Sequence, residues 1–371
     1  MIKIVRFIAW FMLSTSLLSS CKFRGSHLLM EVREIDYRNQ SEFTLEGKQL
    51  DIEAMGMYGI MFCDSFLLLV TNDNMGMIKV VDPITCKTIS ALGRKGRSRN
   101  EFGDLTLLYG QQYHKDNKTI IPVVDNQSML KEIDFTSSIN SHTTVVPDAV
   151  GFYPPNGTAG LIDNSTNNLF YAPFIEMDDV RNKYYVPKFH ILDIAKRKDK
   201  EMKIYSGIMD IENEDYYGAM YAGTLYKHPD RNLFVYLLNC RDYIYYFDLD
   251  NKEKYAVHQQ GMSYFEDKMT LSQLEKNQHT FQSAVCTPDF FITYYIGGDY
   301  CKEYDNMDDL SPELLFFDWD GNYLCGAKVK ENIHSIAYDE KNRKIYGANF
   351  IDETIFSYDV DEIIDKCYES R

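Results

Sequence analysis

The stretch best equipped for chemistry is ALGRKGRSRNEFGDL, residues 91–105. It sets Arg94, Lys95, Arg97 and Arg99 between Gly93, Gly96 and Gly103, in a chain whose net charge is −16. Cations spaced by glycines are what an anion-binding loop requires. A nucleotide loop of the Walker type, however, reads G-x-x-x-x-G-K-[ST] and leads into a helix. Here Gly-Lys-Ser/Thr is absent and a strand-like segment follows. Two readings stand. The stretch either crosses between structural units, with Phe102 as anchor and Glu101 paired to a neighbouring arginine, or binds an anion or acidic partner through its four cations.

The other chemistry-bearing stretches are weaker. DNMDDL (305–310) and DWDGN (318–322) are acidic enough for calcium, but neither has EF-hand spacing with a distal Glu. They read equally as a solvated loop and an Asp-Gly hairpin turn. No G-x-S-x-G elbow, H-E-x-x-H pair or Cys/His cluster with zinc spacing occurs. His190 and His334 adjoin strand-like runs and read as packed or surface residues. Tyr243, Tyr245 and Tyr246 can stack on sugars, but in a strand they read as packing between sheets. The acidic balance excludes a general nucleic-acid binder, which needs a basic face.

The elements that would position these residues come from a repeat. Two mostly apolar residues, an Asp and a polar turn recur, with the Asp at positions 82, 134, 193, 248, 318 and 359. Asp at a strand end hydrogen-bonds the turn backbone. Before each copy stand two short apolar strands joined by a polar turn, as in GIMFCDSFLLLVT; a further strand usually follows. Four short antiparallel strands per unit, six times over, predict an all-β, six-bladed β-propeller. The last unit is one strand short, and residues 41–53 are expected to supply it and close the ring. Insertions at 175–187, 260–280 (with a short helix) and 299–312 break the regularity. The innermost strands, from Gly59-Ile60-Met61 to Ser335-Ile336-Ala337, are small or apolar and carry no convergent carboxylate set.

The N-terminus opens with Lys3 and Arg6, runs apolar from Phe7 to Leu18, and reaches Ser19-Ser20-Cys21. That is the order of a secretory signal, and its apolar run is too short to span a bilayer. The small residues before Cys21 resemble the bacterial lipoprotein signal, so Cys21 is the expected lipidation site. The expected organisation is a signal over 1–20, a lipidated tether over 21–40 and a propeller over 41–371. The remaining cysteines form no C-x-x-C pair; Cys63, Cys240 and Cys286 read as buried thiols, with room for one disulfide.

With GRKGRSRNEF, this signal and these blades resemble the six-bladed β-propeller lipoproteins of Bacteroidetes, related in shape to TolB-like and NHL-type propellers. Gly93, Gly96, Glu101 and Phe102 match that group's G-x-x-G-x-G-P-x-E-F loop, and Ser98, Arg99 and Asn100 depart from it. The resemblance implies fold and location more than activity. The expected protein is lipid-anchored to the outer membrane, on its periplasmic face because Lys22, Phe23 and Arg24 lack an acidic export signal. It would recognise or scaffold a protein, peptide or glycan, with no catalytic residue, resident metal or cofactor. The alternative is a hydrolase or lyase working in the propeller funnel, with calcium as its metal.

Overall fold

The computed structural model describes residues 28–126, 129–147, 149–152, 157–173, 176–178, 183–185, 188–205, 221–261, 278–299 and 312–370. Its sheets form the six expected blades. Met57–Cys63, Phe66–Thr71, Ile78–Asp82 and Lys87–Leu92 make blade one, from the axis outward. Blades two to five start their innermost strands at Leu105, Gly157, Gly223 and Gln278. Blade six takes Ser335–Asp339, Lys344–Asn349 and Thr354–Asp359 from the end of the chain and Lys48–Leu50 from its beginning.

The recurring aspartates all end the third strand of a blade. Each carboxylate collects donors from the turn that follows. The Asp82 carboxylate accepts from the Ile84 amide at 2.9 Å and the Thr85 hydroxyl at 2.8 Å. Asp193 accepts from the Lys196 amide, Asp248 from that of Asn251, Asp318 from that of Asn322, and Asp359 from that of Asp361. The Ile84 amide and Thr85 hydroxyl hold the Asp82 carboxyl below its ordinary range, and Lys196 does the same for Asp193. In blade two the turn becomes a helix, α1 (Phe135–Ser141), and Asp134 serves as its N-cap by accepting from the Ser137 amide at 2.8 Å.

The core is not a single mass. It is a set of apolar wedges, one at each seam between neighbouring blades. At the seam of blades four and five, for example, Val235, Ile244 and Tyr246 meet Phe291, Leu315 and Phe317. Tyr243, Tyr245 and Tyr246 are all buried in these wedges, as the packing reading expects.

The N-terminal segment is a belt around the outside of the ring. Glu31–Ile35 pairs in parallel with the outer strand of blade four, Glu253–Gln259. Phe43–Leu45 pairs in parallel with the outer strand of blade five, Tyr323–Val329. Lys48–Leu50 then pairs antiparallel with Thr354–Asp359 and closes blade six. The expectation that residues 41–53 complete blade six thus holds for Lys48–Leu50 and is corrected for Phe43–Leu45, whose apolar side chains join the wedge of blades five and six. The chain passes between the two pairings at Gly47, where a Cβ would sit 2.7 Å from the Tyr358 ring. Residues 28–40, within the stretch expected to be tether, are already packed on the propeller. Leu28 and Met30 enter the wedge of blades three and four, and Tyr37 that of blades four and five.

Tyr37 is fully buried, edge-on to Tyr295 and Phe317. The amides of Tyr37 and Arg38 both donate to Gln259 Oε1 at 3.0 Å. The Tyr37 and Tyr295 hydroxyls donate to the buried Asp242 carboxylate, Tyr295 at 2.7 Å. Burial raises the Asp242 carboxyl, and the Tyr295 hydroxyl and the Arg38 charge partly offset it.

The chain ends in a helix that the strand repeat did not announce, α2 (Asp361–Glu369). Its Ile363, Ile364 and Cys367 are buried against blades five and six. Cys367 is disulfide-bonded to Cys325 across 42 residues of sequence. A loop of that length constrains the unfolded chain by roughly 4 kcal/mol. The insertion at 175–187 carries a small hairpin, Glu176–Asp178 with Lys183–Tyr185. The signal over 1–20, Cys21, the helix expected within 260–280 and DNMDDL lie outside the described residues.

Tyr37→Ala is expected to destabilise the protein by about 3–5 kcal/mol, because it empties a wedge and strips the belt of its anchor. Denaturant unfolding measures this; an unchanged midpoint would show that the belt is decoration.

Candidate functional site

In a propeller the innermost strand of each blade turns one open edge toward the axis, where its amides and carbonyls need partners. Here neighbouring blades supply many of them. Gln111, fully inside the ring, bridges blades two and three. Its Nε2 donates to the Ala159 carbonyl and its Oε1 accepts from the Leu161 amide, both at 2.8 Å. The Tyr58 hydroxyl donates to the Leu105 carbonyl at 2.9 Å, from blade one to blade two. Thr158 Oγ1 accepts from the Leu225 amide at 3.1 Å, and Ser283 Oγ from the Ile336 amide at 3.2 Å. The Tyr226 hydroxyl, pushed up to about 12 by burial, hydrogen-bonds the backbone of Ala284. At the seam of blades six and one the link is apolar: Phe62 stacks on Tyr346 with centroids 5.8 Å apart. These polar groups are therefore spent sideways, stitching blade to blade.

What remains along the axis is a cavity of about 920 Å³. Its walls carry Tyr58, Phe62, Tyr109, Tyr226, Tyr338 and Phe350. The inner strand of blade two is broken between Leu105–Leu107 and Tyr113–Lys115, and the intervening loop brings Tyr109 and Gly110 to the wall. The Tyr109 ring lies so close to the blade-one strand that a Cβ on Gly59 would overlap its hydroxyl. Gly110 has φ +68°, and a Cβ there would meet nothing within 4 Å. His334, read from sequence as a packed or surface residue, lines the cavity, stacks on Phe350 and accepts its amide at 3.1 Å.

One mouth of the cavity is acidic. Asp64, Asp230 and Glu340 line it, where first strands turn into second strands, with Lys341 beside them. Burial, then the charges of Asp289 and Asp230, hold the Glu340 carboxyl above its ordinary range. Carboxylates that crowd one another in this way favour a cation from solution. Among the described residues, no group of three or more His, Cys, Asp or Glu side chains could hold a metal ion. Asp318, from DWDGN, is occupied as a turn cap.

The basic loop lies elsewhere. It crosses from the outer strand of blade one to the inner strand of blade two. Phe102 is fully buried, with the Lys131 ammonium 4.6 Å over its ring. Glu101 does not pair with an arginine side chain as expected; its Oε2 accepts the Arg97 and Ser98 amides at 3.0 Å. The Ser98 groups, then the Arg97 amide and the Arg94 charge, lower the Glu101 carboxyl. A Cβ on Gly96 would occupy the space of that carboxylate. Arg99 Nε is tied to the Val146 carbonyl at 2.9 Å. The side chains of Arg94, Lys95 and Arg97 are exposed.

Fold and site together define a belted six-bladed β-propeller with an open, aromatic axial cavity. No protein-family model matches the chain, and no curated protein matches it in sequence. Among solved structures, it is similar to a member of the DUF4221 family from Bacteroides vulgatus, with a TM-score of 0.57 and 12% identity over 86% of this chain and 98% of that one. A candidate exported protein from Bacteroides fragilis follows, with a TM-score of 0.48 and 11% identity over 88% of this chain and 98% of that one. At this identity the first likeness shows the propeller fold alone.

Replacing Gln111 by Ala is expected to cost about 1–3 kcal/mol, since it leaves the Ala159 carbonyl and Leu161 amide unpaired at the axis. Urea unfolding reads the loss directly, and a midpoint within error of the parent protein would contradict the stitching account.

Proposed function

We propose that this protein is a membrane-anchored, extracytoplasmic propeller that recognises a peptide bearing positive charge in its axial cavity. The observation that carries the reading is the cavity itself: aromatic walls below a mouth of crowded carboxylates. Aromatic faces and carboxylates together suit lysine and arginine side chains, through cation–π contact and charge pairing. Gln111, Thr158 and Ser283 beside the axis are committed to the ring, which favours recognition over catalysis.

Location rests on separate observations. The signal-like residues 1–20 and Cys21 suit a lipid anchor. The Cys325–Cys367 disulfide suits an oxidising compartment. With Cys21 lipidated, the seven steps from Cys21 to Leu28 reach at most about 25 Å, so Leu28 stays close to the bilayer. Outer-membrane anchoring on the periplasmic face remains part of this proposal.

Calorimetric titration of the mature chain with oligolysine, oligoarginine, oligoglutamate and neutral oligosaccharides tests it. The cationic peptides are expected to bind, and Glu340→Gln with Asp230→Asn to weaken them. A ligand at 100 times its Kd stabilises by about 2.7 kcal/mol, which thermal unfolding also reads. Because the Glu340 carboxyl is held above its ordinary range, it protonates early on acidification. Affinity for a cation should therefore fall as pH drops from neutrality through that raised range. Equal binding of oligoglutamate, or of neutral glycans alone, would refute the cationic reading.

A further inference from the structure

The axial cavity does not end at its acidic mouth. We propose that the cationic peptide held there continues, extended, along a groove between blades six and one, so that the ligand carries basic side chains in succession rather than a single one at its tip. The inference rests on the cationic reading of the cavity and adds where the rest of the ligand lies.

The groove is a second cavity, of about 820 Å³. It shares Asp64, Asp339 and Lys341 with the axial cavity, so the two meet at the mouth. The partition between them is the Phe62–Tyr346 stack, with Phe62 lining the axial cavity and Tyr346 the groove. One wall of the groove comes from blade one, through Ser65, Pro83, Ile84 and Cys86. The other comes from blade six, through its turns and its outermost strand, Lys48–Leu50.

Its charge selects a cation. The lining carboxylates are Asp51, Asp64, Asp339, Asp359 and Asp361. Against them stand Lys48, Lys341 and Lys344. Asp339 and Asp359 cap turns and Asp64 accepts the Thr119 hydroxyl, yet a hydrogen-bonded carboxylate keeps its charge. Arg343 pairs with Asp361 but is shared with Asp365, so it does not reverse the excess. At the mouth Asp230 and Glu340 add to it. A ligand of net positive charge is therefore attracted along the whole path.

The backbone of the groove selects a peptide among cations. Lys48–Leu50 pairs with Thr354–Asp359 on one side and is the last strand of its sheet. Its other edge offers amides and carbonyls to a further strand. The belt already pairs in this way, since Glu31–Ile35 and Phe43–Leu45 add to the outer strands of blades four and five. A polyamine has the charge but no peptide groups to meet that edge. Ile84, 87% exposed on the blade-one wall, offers an apolar contact to side chains between the basic ones.

The test is fluorescence anisotropy of the protein with two labelled peptides, triarginine and a longer peptide of alternating arginine and valine, and with spermine as competitor. The longer peptide is expected to bind about tenfold or more tighter than triarginine. Asp51→Lys should weaken the longer peptide about fivefold and Lys48→Glu should strengthen it, both leaving triarginine unchanged. Both positions are exposed, and circular dichroism verifies that the variants are folded. N-methylation of alternate amides of the longer peptide, in one of the two registers, should remove its advantage, and Glu340→Gln should weaken both peptides. Equal binding of the two peptides, with Asp51→Lys changing neither, overturns the groove and leaves the cavity reading standing. Binding of neither peptide overturns both. Spermine binding as tightly as the longer peptide overturns the selection of a peptide. Binding of the longer peptide that Glu340→Gln leaves untouched overturns the continuity of groove and cavity.

Discussion

The structure depends on how a ring without a common core is held shut. Each apolar wedge belongs to two blades only, so no residue at one seam stabilises the seam across from it. A ring built this way opens at its weakest joint. The belt addresses that joint from outside. Leu28 and Met30, Tyr37, Phe43 and Leu45, and Leu50 enter four consecutive wedges before the chain starts blade one. Pairing Lys48–Leu50 with Thr354–Asp359 then bonds the beginning of the chain to its end. The belt also covers the outer edges of blades four and five, which would otherwise offer unpaired strand edges to other chains. At the other terminus, the Cys325–Cys367 bond and the buried face of α2 reinforce blades five and six.

Closing the ring also uses polar groups beside the axis. Gln111, Thr158 and Ser283 satisfy backbone groups of the neighbouring blade. The cavity left inside is aromatic along its walls and anionic at one mouth. The exposed Arg94, Lys95 and Arg97 lie on the crossing from blade one to blade two, apart from that mouth.

Much of the fold was legible because it repeats. The turn aspartates could be read at each blade, since a carboxylate capping a strand end has the same chemistry in every copy. The belt was only half legible. Phe43 and Leu45 alternate like any edge strand, and nothing local distinguishes pairing with blade five from pairing with blade six. Tyr37 gave no signal because its role rests on Asp242 and Gln259, more than two hundred residues away. Ile363, Ile364 and Cys367 form a helical stripe too short to outweigh the strand pattern before it. The cavity was illegible for the same reason as the belt: its lining comes from several blades, and Tyr109 and His334 become neighbours of the axis only when the ring closes. The crossing of the basic loop was legible, but the partner of Glu101 was not, because a carboxylate that occurs once suits either an arginine or the neighbouring amides.

Hydrogen exchange of the protein, followed by mass spectrometry, tests the central claim that the belt holds the ring. If it does, the amides of residues 43–50 should exchange only with global unfolding, as slowly as those of Phe66–Thr71 and Phe290–Asp299 inside the blades. Fast exchange over 43–50 with the blades still protected would contradict the account, showing a ring that stays closed without its belt.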